Sequence, residues 1–301
     1  MKRNDKTRSI GSRSAKMAYV FLRFFIIFGV GFIILKPIIG KILLSFMSPQ
    51  DLLDNTVKLI PRNWSVHYWK AALEQMYLPK SLINTALLSL SIALIQTFSC
   101  TLVGYGLARF KFKGRGLAFA FVVIILLVPY QVISIAQYQS FVNIHIGSWQ
   151  IVDSFLPLYV LAFTGLGVKE GLYIYLMREN FRSLSVTLEE AAYIDGAGVF
   201  RTFATIMVPN ARTMMITIFL FSFCWQWTDK TYTSLYLMDT RVFSNSLSKI
   251  FIENGNFGDP VGTAIAKCAG SLFVMLPLIA LFVFCQKFFV KSISQAGLSS
   301  T

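Results

Sequence analysis

Charge is scarce in this sequence. Asp, Glu, Lys and Arg together make up 14% of 301 residues, against about 25% in a typical soluble domain. Histidine occurs twice, as His67 and His145, so a His-based catalytic or metal site is not expected. The four cysteines, Cys100, Cys224, Cys268 and Cys285, lie within or beside apolar runs without metal or redox spacing. They read as buried free thiols. No Gly-x-x-x-x-Gly-Lys-Ser/Thr phosphate loop occurs, so the chain has no means of its own to hold ATP. No Ser/His/Asp or paired-carboxylate arrangement suggests catalysis either. The expectation is a non-enzyme with no catalytic residues, no metal and no cofactor.

Apolar residues are abundant: 55% of the chain is hydrophobic and Phe alone counts 28. That composition is of a polytopic membrane protein. The net charge of +14 would suggest nucleic acid in a soluble chain. Here many basic residues flank apolar spans, where they act as topology signals, and no nucleic-acid partner is expected. Six helical spans are predicted, at about 17–39, 82–107, 116–141, 155–177, 208–227 and 264–290. The first is too long for a signal-peptide core and lacks a small-x-small cleavage site, so it reads as uncleaved. Six spans put both termini on one side. The basic N-terminus and the loop with Arg109, Lys111, Lys113 and Arg115 fall on that side, which is therefore cytosolic.

Several spans carry polar residues with two readings each. The second is rich in small and hydroxyl residues, suited either to close helix packing or to lining a wet path. Pro129 in the third span precedes Gln131, Gln137 and Gln139, marking a kink beside a polar path or a plain packing kink. Lys169 and Glu170 in the fourth are path or inter-subunit candidates. The alternative is a shifted helix boundary that puts both near the inner interface. Trp225 and Trp227 end the fifth span as interfacial anchors or as surfaces for sugar rings. Trp64, Tyr68, Trp69 and Tyr77 between spans one and two form an interfacial belt or a docking surface.

The stretch from Thr187 to Pro209 is the polar segment most clearly built for a purpose. Thr187 and Glu190 have capping-box spacing, which predicts a helix start. Leu188, Ala191, Ala192 and Asp195 share one helical face. Gly196 suits a left-handed C-cap. Val199, Phe200, Phe203, Ile206 and Met207 then predict a second short amphipathic helix outside the bilayer.

Glu190-Ala191-Ala192, Gly196, Ile206 and Pro209 resemble the EAA loop of permease subunits in binding-protein-dependent ABC importers. Ile83-Asn84-Thr85, the string from Gly104 to Phe112, Ala192-Tyr193-Ile194-Asp195-Gly196-Ala197 and the stretch from Gln286 to Val290 are similar to its carbohydrate-uptake branch, which includes the maltose permeases. The resemblance covers roughly residues 80 to 290. It departs at Val208, where Leu is usual, at Ser185 and Thr213, where Pro is common, and in a tail without the usual Gly-rich ending.

The resemblance implies an all-α membrane protein with the six-transmembrane-helix type I ABC importer permease fold. Its parts would be a cytosolic N-terminus at 1–16, a transmembrane domain at 17–290 with a coupling loop at 178–207, and a cytosolic tail at 291–301. It implies that Glu190, Ala191, Ala192, Asp195, Gly196 and Ala197 meet a cytosolic ATPase. Partners would be two such ATPase subunits, a second permease subunit in a heterodimer, an extracellular solute-binding protein and membrane lipid. The expected setting is a bacterial or archaeal cell membrane. Gln131, Gln137, Lys169, Glu170, Trp225 and Trp227 are the substrate-path candidates.

Overall fold

Backbone polar groups in lipid must be satisfied within the segment, so apolar runs of this length fold as helices. The computed structural model describes residues 5–54, 56–146, 149–254 and 257–298. In order, its elements are α1 (Asp5–Ser45), α2 (Pro49–Leu53), α3 (His67–Met76), α4 (Leu78–Arg109), α5 (Arg115–Leu127) and α6 (Tyr130–Val142). A small hairpin of β1 (His145–Ile146) and β2 (Trp149–Gln150) follows, with His145 opposite Gln150. Then come α7 (Leu156–Thr164), α8 (Glu170–Ser183), α9 (Thr187–Ile194), α10 (Val199–Thr202), a π-helical turn at Phe203–Met207 and α11 (Val208–Thr228). The chain continues through α12 (Thr231–Tyr236), α13 (Phe243–Ser248), a second hairpin of β3 (Glu253–Asn254) and β4 (Phe257–Gly258), and α14 (Pro260–Leu298). The ends of the basic N-terminus, residues 1–4, and of the tail, 299–301, lie outside the described residues.

Four described helices are long and apolar enough to cross a membrane: Lys16–Ser45, Leu78–Arg109, Val199–Thr228 and Pro260–Gln286. The third predicted span is a pair, α5 and α6, bent by 107°. Pro129 explains the bend. It disfavours helical geometry in the residue before it, and Val128 is accordingly extended at φ −74°, ψ 123°. The fourth predicted span is also interrupted. It is α7 and α8, separated by a turn in which Gly165 and Lys169 have φ of +84° and +60°. Of the six expected rods, four are thus long helices and a fifth is the bent pair α5–α6, while α7 and α8, among the described residues, do not qualify as a span by length and composition.

Contacts divide the chain into two compact units, 1–72 with 251–272 and 73–250 with 273–301. In the first, Phe46 stacks on Trp69 at 5.2 Å and tilts against Trp64 at 5.7 Å between ring centroids. Asp51 accepts from the backbone N–H groups of Arg62 and Asn63. Tyr68 is buried while Trp64 is exposed. Part of the aromatic cluster therefore ties its own loop together. Apolar residues from Met17 to Leu35 stay largely exposed, a surface of the kind that lipid or a partner covers.

The second unit is organised around α4, which packs on α11, α8 and α7. Several of its buried hydroxyls are spent on backbone acceptors and on neighbouring elements. Thr85, Thr97 and Thr101 donate to carbonyls four residues back. Ser99 donates to the Phe163 carbonyl on α7 at 2.9 Å. Asn84 Nδ2 donates to the Arg241 carbonyl and Phe243 N–H donates to Thr85 Oγ1. At Gly104, an added Cβ would meet Met177 at 2.8 Å and the backbone nitrogen of Arg178 at 3.0 Å. The missing side chain is what lets α4 and α8 approach so closely.

Candidate functional site

The loop after α8 folds as a helical hairpin. Helix α9 begins at Thr187 itself, one residue earlier than a Thr187 cap would start it. Val186 is already helical at φ −65°, ψ −28°, and Ser185 Oγ, not Thr187, accepts from the backbone N–H of Thr187 at 3.3 Å. The predicted capping box therefore does not form. A serine oxygen satisfies an orphan donor of the first turn instead. The far end closes as anticipated. Gly196 has φ +79°, its N–H donates to the Tyr193 carbonyl, and Ala197 N–H donates to the Ala192 carbonyl. These two bonds are the Schellman pattern.

The next stretch corrects the expectation of a separate second helix. Helix α10 runs through the π turn directly into α11. Val208 N–H reaches the Phe203 carbonyl, and this wider turn carries the helix past Pro209, which has no N–H to give. Phe203 and Met207 pack inward, whereas Phe200 is 88% exposed.

Glu189, not Glu190, anchors the hairpin. Its side chain is 8% exposed and its Oε2 lies 3.4 Å from Arg109 Nε. Tyr105 Oη donates to Oε1 at 2.9 Å. Arg109 also donates from Nη2 to the Leu184 carbonyl at 2.7 Å. The Tyr105 ring meets Phe203 at 4.8 Å and Phe181 at 5.4 Å. Arg115 donates to the Leu107 and Ala108 carbonyls, satisfying acceptors left open at the end of α4. One end of α4 thus holds α8, α9 and the π turn together. The EAA resemblance drew attention to Glu190. Glu189 was missed, though its position three residues before Ala192 places both on one helical face, and both are buried.

The opposite face is open. Leu188, Glu190, Ala191 and Asp195 are exposed, and Ile194 is 86% exposed. Of the face predicted from sequence, Ala192 turns inward while Leu188, Ala191 and Asp195 do not. Gly196 follows at the turn, and Ala197 is half-buried.

The path candidates separate into two groups. Gln131, Lys169 and Glu170 line one open cleft of about 240 Å³ between the α5–α6 bend and the α7–α8 break. Lys169 Nζ stands over the Trp225 ring at 5.0 Å and the Tyr130 ring at 5.8 Å. Glu170 is fully buried. Its Oε2 accepts from Gly167 N–H at 2.9 Å and from Gln96 Nε2 at 3.3 Å, and Cys100 Sγ lies 3.8 Å from Oε1. Ser222 Oγ in turn donates to Gln96 Oε1. The other two candidates lie elsewhere. Gln137 accepts from Tyr232 Oη at 2.6 Å. Trp227 is 3% exposed, donates to the Val274 carbonyl and packs between Phe223 and Phe243. Trp227 is a core residue, neither an interfacial anchor nor a stacking surface. Among the described residues no group of three or more His, Cys, Asp or Glu could hold a metal ion.

Residues 101–295 match the family described as binding-protein-dependent transport system inner membrane component. The melibiose/raffinose/stachyose import permease protein MelC of Bacillus subtilis is 29% identical over 248 residues, covering 80% of this chain and 82% of that protein. The maltodextrin transport system permease protein MdxG of the same organism is 28% identical over 237 residues, covering 78% and 81%. The fold is similar to a chain of a bacterial ABC transporter involved in the import of the acidic polysaccharide alginate. The TM-score is 0.64 at 20% identity, with 96% of this chain and 99% of that chain covered.

Proposed function

Because the chain belongs to the family of binding-protein-dependent transport system inner membrane components, we propose that it is the permease subunit of an ATP-driven importer for a sugar or oligosaccharide. It is a multi-pass membrane protein. It works with a second permease subunit, a pair of cytosolic ATPase subunits and an extracellular solute-binding protein. The relatives named for melibiose, raffinose, stachyose and maltodextrin transport support the carbohydrate reading.

One observation carries the coupling role. Helix α9 is fixed on its inner face by Glu189 and Ala192 and presents an unpartnered outer face with Ile194, Glu190 and Ala191. An exposed apolar side chain flanked by a carboxylate is suited to a groove with a basic residue on a partner. Nucleotide-driven closure of the ATPase pair pushes α9. The Glu189–Arg109 contact passes that displacement to α4, and the membrane helices rock to expose the path outward. Both termini are cytosolic in this arrangement, on the same side as α9.

Reconstitution with the partner permease, the ATPase and the binding protein tests the reading. Vanadate-sensitive, ATP-dependent uptake of an oligosaccharide is expected. Uptake that follows an ion gradient without ATP would contradict it.

A further inference from the structure

A charged side chain within an apolar span is costly unless it faces protein or water. Lys169 sits between α7 and α8, in the middle of the fourth predicted span. None of the described ion pairs includes it. Its neighbour Glu170 is not its counter-ion, because that carboxylate turns away into the donors of Gly167, Gln96 and Cys100. The ammonium instead leans over the faces of Trp225 and Tyr130 at the edge of the open cleft. Its backbone holds φ +60°, a conformation a non-glycine residue rarely keeps without a surrounding structure that imposes it.

The cleft therefore offers a cation that none of the described ion pairs includes, with the Tyr130 ring and the Gln131 amide in its lining and the Trp225 face beside the ammonium. Aromatic faces present flat apolar surfaces to the C–H faces of a pyranose ring, and a primary amide both donates to and accepts from hydroxyls. We propose that this cleft takes a saccharide bearing a carboxylate, of the uronic acid class, with Lys169 pairing the carboxylate and Trp225 and Tyr130 bracketing the ring. The inference rests on the sugar-permease reading above and narrows its substrate class.

The test uses the importer assembled with its partner subunits in nanodiscs, titrated with tetragalacturonate and with maltotetraose. Tetragalacturonate is expected to bind and quench tryptophan fluorescence, with affinity falling as salt rises. Lys169→Gln should weaken that binding at least about 10-fold, the loss of a charge-assisted contact, while Lys169→Arg keeps most of it. Near-equal tetragalacturonate affinity in wild type and Lys169→Gln would overturn the proposal. So would maltotetraose binding that exceeds tetragalacturonate binding, which would leave the sugar-permease reading standing. Binding of neither saccharide, with ATP-driven uptake of a non-sugar solute by the same complex, would overturn both.

Discussion

Glu189 Oε2 lies 3.4 Å from Arg109 Nε, with both side chains about nine-tenths buried. The contact joins the last residue of α4 to the first turn of α9. Removing one member of a buried charge pair leaves the other charge uncompensated, at a cost of about 3–5 kcal/mol. Arg109→Ala should therefore lower the thermal midpoint strongly. Arg182→Ala removes an exposed pair with Glu179, worth at most about 1 kcal/mol, and should barely move it. Equal effects in a melting experiment on the purified protein would refute the anchoring role.

Tyr105 supplies the second hold on the same carboxylate. Tyr105→Phe keeps the ring contacts with Phe181 and Phe203 and deletes only the hydroxyl donor to Glu189. A hydrogen bond to a charged group contributes about 1.5–3 kcal/mol, so a smaller loss than in Arg109→Ala is expected. The double variant should lose less than the sum of the two, because both act on one carboxylate. Strict additivity in the double-mutant cycle would argue that the two contacts are independent.

Gly104 and Gly106 lie two residues apart on α4 and differ in their surroundings. A Cβ at Gly104 would collide with Met177 and the backbone of Arg178, whereas nothing lies within 4 Å of one at Gly106. Gly104→Val should destabilise by about 1–3 kcal/mol through overpacking, and Gly106→Val should be near neutral. The reverse order in detergent stability would contradict the α4–α8 packing.

At the hairpin turn the constraint is conformational. An added Cβ at Gly196 meets nothing within 4 Å, but φ is +79°, which costs an L-residue about 1–2 kcal/mol. Gly198 has φ −75° and equally open space. Gly196→Ala should increase protease cleavage of the loop and slow transport, while Gly198→Ala should do neither. Matching behaviour of the two variants would remove the turn from the account.

How far the sequence revealed this depends on the range of the interaction. The Gly196 turn, the long span of α4 and the membrane character follow from local pattern and composition, and the permease family from the resemblance of the loop around Glu190. Pro129 marked a kink, but the size of the bend depends on what α6 packs against. Thr187 failed as a cap because Val186 joined the helix, an outcome decided by one ψ angle. Glu189 was hidden because its partner Arg109 is distant in sequence, and both had ready readings as a loop acid and a topology charge. Trp227 looked like an anchor until tertiary contacts with Phe243 and the Val274 carbonyl buried it. Gln137 is likewise a structural acceptor because Tyr232 reaches it.

The outer face of α9 carries the coupling proposal, and Glu190 is its exposed charge. Glu190→Ala should leave membrane insertion and melting unchanged, since the side chain makes no described ion pair. It should reduce co-purification of the ATPase and slow uptake by at least tenfold, in line with a lost interfacial charge pair of about 2–5 kcal/mol. Wild-type uptake in that variant would contradict the docking role.

Accessibility of position 190 tests the arrangement most directly. Glu190→Cys in a background without the native cysteines should resist a membrane-impermeant maleimide applied to intact cells. In inside-out vesicles stripped of ATPase it should react, and it should be shielded once the ATPase is added back. Labelling from outside intact cells, or labelling indifferent to the ATPase, would contradict the account.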